Sequence, residues 1–93
     1  LSNKVVLEGH TDARPYSSVA GYTNYELSAD RANAARRVLM TSGLNPQQVS
    51  EVRGYADTKI RDRNRPFDEA NRRITILIQF EKNHEQSAQN PPR

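Results

Sequence analysis

The sequence predicts an α+β domain, and three observations carry that prediction. Lys4-Val5-Val6-Leu7-Glu8 is a short β-branched run that stops at Gly9; residues 29–40 are rich in alanine and straight-chain side chains; and Ile74, Ile76, Ile78 and Phe80 alternate with Thr75, Leu77 and Gln79. β-Branched runs bounded by glycine and period-2 alternation are strand signals. Nine good helix formers among the twelve residues 29–40 are a helix signal.

In chain order, the first strand ends at Gly9, so Thr11 and Asp12 are expected on a loop just past its carboxyl end. Ser28 reads as the N-cap of the helix, Asp30 suits its positive end, and Arg31 then falls in its first turn. Gly43 reads as the helix stop, Asn45-Pro46-Gln47-Gln48 as a turn or single helical turn, and residues 49–55 as the second strand. Two strands joined by a crossover helix of this length are expected to lie parallel and adjacent, or nearly so, in one sheet.

Residues 58–66 are polar and aperiodic and read as an exposed loop, with a short helical turn at 67–70 behind it. The strand at 74–80 has one strongly apolar face and is expected to anchor the core. Ala32, Ala35, Val38 and Leu39 give the helix only a narrow apolar stripe. Three strands and one helix leave part of a sheet face uncovered, so a further strand and helix before Leu1 are expected. Residues 81–93, EKNHEQSAQNPPR, have no apolar pattern and read as a disordered tail, leaving residues 1–80 as the domain.

A chain of 93 residues with 34% hydrophobic residues supports one modest core. No apolar run is long enough to span a bilayer, and zero cysteines rule out disulfides and thiol chemistry. The net charge of +3 comes from 14 basic and 11 acidic residues interspersed along the chain, so no broad basic field forms and no nucleic-acid partner is expected.

The chemistry concentrates between Gly9 and Arg37. If the helix packs back across the first strand, Asp12 and Arg31, nineteen positions apart (31 − 12), flank one pocket. A guanidinium grips a carboxylate with a planar fork, and a carboxylate accepts hydrogen bonds from an ammonium, so the pair suits an amino-acid head group. Alternatively, Asp12 can simply close its own turn, and Arg31 can pair with Asp30, with Glu26 or with nothing.

Tyr16, Tyr22 and Tyr25 can stack on a sugar face or pin the loop. Asn24 can bridge backbone groups or face the pocket. Of Arg72 and Arg73, adjacent at the start of the last strand, one can face the pocket and the other is expected in solvent. His10-x-Asp12 with Ser17 and Ser18 nearby is too sparse a set for a metal site or a catalytic triad, so no metal, cofactor or enzymatic activity is expected.

Gly9-His10-Thr11-Asp12, then Asn24-x-x-Leu27-Ser28-x-x-Arg31-Ala32, then Val52-x-Gly54, then Asn71-Arg72-Arg73 ahead of an aliphatic strand occur in this order. The pattern resembles the OmpA-like C-terminal domain family, which binds peptidoglycan non-covalently. Residues 21–37 and 52–66 look most like the flagellar motor stator members of that family; its outer-membrane porins and peptidoglycan-associated lipoproteins are the alternative. One departure is plain. The family's common Gly-x-Gly-x-x-x-Pro stretch is here Gly54-Tyr55-Ala56-Asp57-Thr58-Lys59, without the second glycine or the proline.

The resemblance implies a βαβαββ-type mixed sheet with helices on one face, whose first strand and helix would precede Leu1. It also implies that Asp12 holds the ammonium and Arg31 the carboxylate of the diaminopimelate in the stem peptide, with Thr11, Asn24, Leu27 and Arg72 lining the same groove. The implied partners are peptidoglycan, a second copy in a homodimer, and a channel-forming stator subunit reached through the parent's membrane segment. The implied location is the periplasm, as part of a single-pass inner-membrane protein.

Overall fold

The computed structural model describes residues 3–15 and 20–80. Strand β1 (Lys4–His10) leads through a loop to helix α1 (Asn24–Thr41), a 3-10 turn (Pro46–Gln48), strand β2 (Val49–Gly54), a second 3-10 turn (Glu69–Asn71) and strand β3 (Arg73–Gln79). The sheet order is β2-β1-β3, with β1 parallel to β2 and antiparallel to β3. The parallel strand–helix–strand unit is therefore as expected, and the fold is a mixed three-stranded sheet with a helix packed against it. The expected tail at 81–93, with His84, and the candidates Tyr16, Ser17 and Ser18 lie outside the described residues.

Helix α1 begins earlier than Ser28. Thr23 is the N-cap: its side chain accepts from the Tyr25 amide, and the Glu26 side chain returns to the Thr23 amide in a capping box. Ser28 is instead buried inside the helix, donating to the Tyr25 carbonyl oxygen at 3.0 Å. The helix stops at Thr41, and Gly43, with φ of 117°, takes the left-handed turn that follows.

The core is built on β1, because β1 alone has a strand on each side and the helix above it. Val5, Val6 and Leu7 are buried, and each such side chain contributes roughly 1.5–3 kcal/mol of burial free energy. Residues paired across a sheet share a face, so Leu7 lies on one face with Val52 and Ile76, and Gly9 with Gly54 and Ile74. That is the helix face, since a Cβ on Gly9 would stand 2.0 Å from the Ser28 carbonyl oxygen and one on Gly54 would stand 2.7 Å from the Ala29 amide. The missing side chains let α1 lie directly on the strand ends.

Two expectations fail here. Strand β3 does not anchor the core: Ile74, Ile76 and Ile78 on its helix face, and Leu77 on the other, are all exposed. Nor does Val38 belong to the helix's buried stripe, which runs through Ser28 and Ala32; Val38 is 64% exposed. Helix α1 sits over β1 and β2 and makes only slight contact with β3.

At the departure after β2 the backbone still makes a left-handed turn. Ala56 occupies the second-glycine position with φ of 55°, adopting the left-handed conformation that glycine takes without strain. Its amide donates to Ser28 Oγ at 2.9 Å and its carbonyl accepts from the Thr11 amide at 2.8 Å. One residue thereby ties the helix, the β2 loop and the β1 loop together.

Candidate functional site

Those ties set the walls of a cavity at the carboxyl end of β1. It measures about 260 Å³ and is lined by Thr11, Asp12, Arg14, Pro15, Asn24, Leu27, Arg31 and Arg72. All six residues expected to line a binding groove are in it.

The β1 loop supplies the acid. Thr11 and Asp12 follow the strand directly and are buried, at 2% and 5% exposure. Asp12 Oδ1 accepts from the Arg14 amide at 2.9 Å, closing the tight turn that the aspartate was expected to form. The turn role and the cavity role are thus compatible. Thr11 Oγ1 donates to the Asp12 carbonyl oxygen at 2.9 Å, which fixes the loop further.

The helix supplies the base and an apolar wall. Asn24, Leu27 and Arg31, spaced by three and four residues, lie on one helical face, next to the face that Ser28 and Ala32 bury on the sheet. Arg31 is the eighth residue of the helix and so lies at the end of its second turn, not in the first. Among the described residues it makes no hydrogen bond or ion pair, so neither Asp30 nor Glu26 claims it. Asn24 takes both roles weighed for it: it lines the cavity while its Nδ2 donates to the Arg14 carbonyl oxygen at 2.9 Å.

The second 3-10 turn supplies Arg72. Asn71 is fully buried, its Oδ1 accepting from the Asp62 amide at 2.8 Å and its Nδ2 donating to the Arg65 carbonyl oxygen at 2.8 Å. This anchors the loop at 61–66 beside the cavity, where the Pro66 carbonyl accepts from the Ala13 amide at 2.8 Å. Arg72 Nε lies 3.5 Å from Asp12 Oδ2, and its Nη2 donates to Glu69 Oε1 at 3.2 Å.

Arg14 and Pro15 were not foreseen as lining residues. Arg14 stands over the Phe67 ring at 5.9 Å, a contact between segments far apart in sequence that local spacing does not reveal. Of the tyrosines, Tyr22 donates its hydroxyl to Asp30 and pins the loop to the helix, while Tyr25 is 57% exposed.

His10 faces away from Asp12 chemically. Its Nε2 lies 3.3 Å from Glu8 Oε1, its ring stacks on Tyr55 at 5.1 Å, and Glu8 is also paired with Arg53 at 3.1 Å. Burial lowers the His10 pKa, with the Glu8 hydrogen bond opposing that effect. Arg73 departs from the expectation of a solvated side chain: it is half-buried, its Nη2 donating to the Lys59 carbonyl oxygen at 3.0 Å and its Nη1 to the Asn71 carbonyl oxygen at 3.4 Å.

Comparisons with known proteins bear on the family and the fold. The family model described as the OmpA family matches residues 1–73. The chain is 51% identical over 80 residues to Motility protein B of Escherichia coli, an alignment covering 84% of this chain and 26% of that protein. It is 34% identical over 84 residues to the uncharacterized protein YtxE of Bacillus subtilis, covering 88% of this chain and 35% of that one. The chain thus spans about a quarter to a third of the length of these curated relatives. Among solved structures, the periplasmic domain of Helicobacter pylori MotB matches with a TM-score of 0.77 at 27% identity, over 94% of this chain and 54% of that chain. A crystal form of the C-terminal domain of the same protein gives 0.72 at 27% identity, over 91% and 65%.

Proposed function

The chain belongs to the OmpA family, and from that premise we propose that it is a non-enzymatic module that binds peptidoglycan non-covalently and fastens a flagellar motor stator unit to the cell wall. Asp12 takes the ammonium and Arg31 the carboxylate of diaminopimelate in the stem peptide. The observation that carries this reading is that a single cavity gathers both charges with Thr11, Asn24, Leu27 and Arg72.

The chemistry of the two groups supports it. Arg31 is free of partners among the described residues, so its fork is available to a ligand carboxylate without first breaking a bond. Asp12 is oriented by its turn, and its Oδ2 meets only the 3.5 Å approach of Arg72, leaving acceptor capacity for an ammonium. Leu27 provides an apolar wall for the methylene chain between the ligand's charged groups.

Such a grip is reversible. Each charge-assisted contact contributes about 1.5–3 kcal/mol, so one domain holds weakly and a homodimer raises the effective affinity by binding two stems at once. The identity with Motility protein B and the likeness to MotB periplasmic domains favour the stator among the family's roles. On this reading the module lies in the periplasm and reaches its channel-forming partner through a membrane segment of the parent protein. Among the described residues no helix is long and apolar enough to cross a membrane.

Co-sedimentation with purified sacculi tests the proposal. The wild-type chain pellets with the wall, and Arg31→Ala and Asp12→Ala each stay in the supernatant; variants that pellet as well as wild type would remove the assignment.

A further inference from the structure

Asp12 and Glu69 share one guanidinium. Arg72 Nε stands 3.5 Å from Asp12 Oδ2, while its Nη2 donates to Glu69 Oε1 at 3.2 Å. The two acids differ in setting, since the Asp12 side chain is 7% exposed and that of Glu69 is 81% exposed.

Asp12 Oδ1 is engaged by the Arg14 amide at 2.9 Å, so Oδ2 is the oxygen left for a cation, and Arg72 already stands at it. Arg14 and Arg31 are the other charged residues of the wall. Among the described residues, the cavity is therefore lined by three guanidiniums and one carboxylate. An ammonium that enters with Arg72 in place meets this excess of positive charge at close quarters.

We propose that Arg72 is an internal competitor for the ammonium seat on Asp12, and that Glu69 is the acceptor onto which it withdraws when a ligand ammonium arrives. The inference rests on this cavity holding diaminopimelate through Asp12 and Arg31. A charge-assisted N–H to O contact ordinarily spans about 2.7–2.9 Å. At 3.5 Å the Arg72–Asp12 approach is a looser ion pair, which a compact ligand cation can replace. Withdrawal costs Arg72 little, because one of its nitrogens is already bonded to Glu69 and its side chain is 44% exposed to water. Arg31, without a partner among the described residues, needs no such exchange to take a carboxylate. The two ends of the zwitterion are thus read differently: the carboxylate finds an open fork, and the ammonium has to displace a guanidinium. A ligand that lacks the ammonium leaves Arg72 on Asp12, so the contact adds a repulsive element to the selection.

Titration of the wild-type chain, Arg72→Gln, Glu69→Gln and the double variant with meso-diaminopimelate tests this. Arg72→Gln binds about threefold more tightly, the scale of one solvent-exposed ion pair, and Glu69→Gln about threefold more weakly, because Arg72 then stays on Asp12. In the double variant the Glu69 effect vanishes, since Glu69 is a positioning residue that acts through Arg72. Pimelate, which keeps both carboxylates and has no ammonium, gains nothing from Arg72→Gln. Weaker binding of diaminopimelate by Arg72→Gln makes Arg72 a ligand contact and overturns the competitor. A Glu69→Gln penalty that persists in the double variant, or an equal gain for pimelate, overturns it too. If the wild-type chain binds diaminopimelate and these patterns fail, only the competitor falls; if it does not bind, the reading of the cavity falls with it.

Discussion

Asp12 and Arg31 wall the same cavity, yet Asp12 is approached by a different arginine, with Arg72 Nε 3.5 Å from its Oδ2. The acid therefore keeps a counter-charge in the empty domain, while the base that would hold a ligand carboxylate stays uncommitted among the described residues. The Arg72 side chain is 44% exposed, so the pair is screened by solvent. Arg72→Gln is expected to cost about 1 kcal/mol or less, read as a small fall in the urea midpoint. A loss several times larger would mean that Arg72 is indispensable to folding.

Ser28 is the link between the helix that carries Arg31 and the loops around Asp12. Ser28→Ala removes the acceptor of the buried Ala56 amide, which is expected to cost roughly 1–3 kcal/mol because the N–H is left unpaired away from water. Chemical denaturation measures it. Ser28→Gly would add the backbone penalty of a mid-helix glycine and should be worse still.

Gly9 sets how closely the helix can lie on β1. A methyl group there would stand 2.0 Å from the Ser28 carbonyl oxygen, so Gly9→Ala must push the helix away. Overpacking of this kind costs typically 1–3 kcal/mol, and here it also moves Arg31 relative to Asp12. A variant as stable as wild type would contradict this close strand–helix contact.

His10 makes stability depend on pH near neutrality. Its folded-state pKa lies below the ordinary value of 6.5, chiefly through burial, so between those two values the unfolded chain binds more protons than the folded one. Stability is then full above the unfolded value and declines as pH falls through that window. The melting temperature should drop between about pH 7.5 and pH 5.5, and His10→Gln should drop less over the same range. Equal slopes for the two proteins would contradict the assignment.

The parts of this molecule that depend on local pattern were legible in its sequence. Strands at Lys4–His10, Val49–Gly54 and Arg73–Gln79 follow from β-branched runs and alternation, and the parallel pairing follows from the helix between the first two. The helix start was misplaced because Ser28 suits a cap as well as Thr23 does. Thr23-Asn24-Tyr25-Glu26 carries the capping-box signal, but asparagine and tyrosine are weak helix formers and mask it.

What no local pattern holds is position within the sheet. Alternation in β3 says that one face is apolar, not that anything covers it, and its isoleucines are exposed because the helix lies over β1 and β2 instead. The cavity shows the same division. Asp12 and Arg31 could be chosen from strand end and helix start, whereas Arg14 takes its place over Phe67, a contact made by the path of a long loop.

The most direct measurement is an NMR titration of the isotopically labelled chain with meso-diaminopimelate. The account predicts saturable shifts confined to Thr11, Asp12, Arg14, Asn24, Leu27, Arg31 and Arg72, weakened roughly tenfold or more in Arg31→Ala. Shifts centred elsewhere, or the same affinity in the variant, would contradict it.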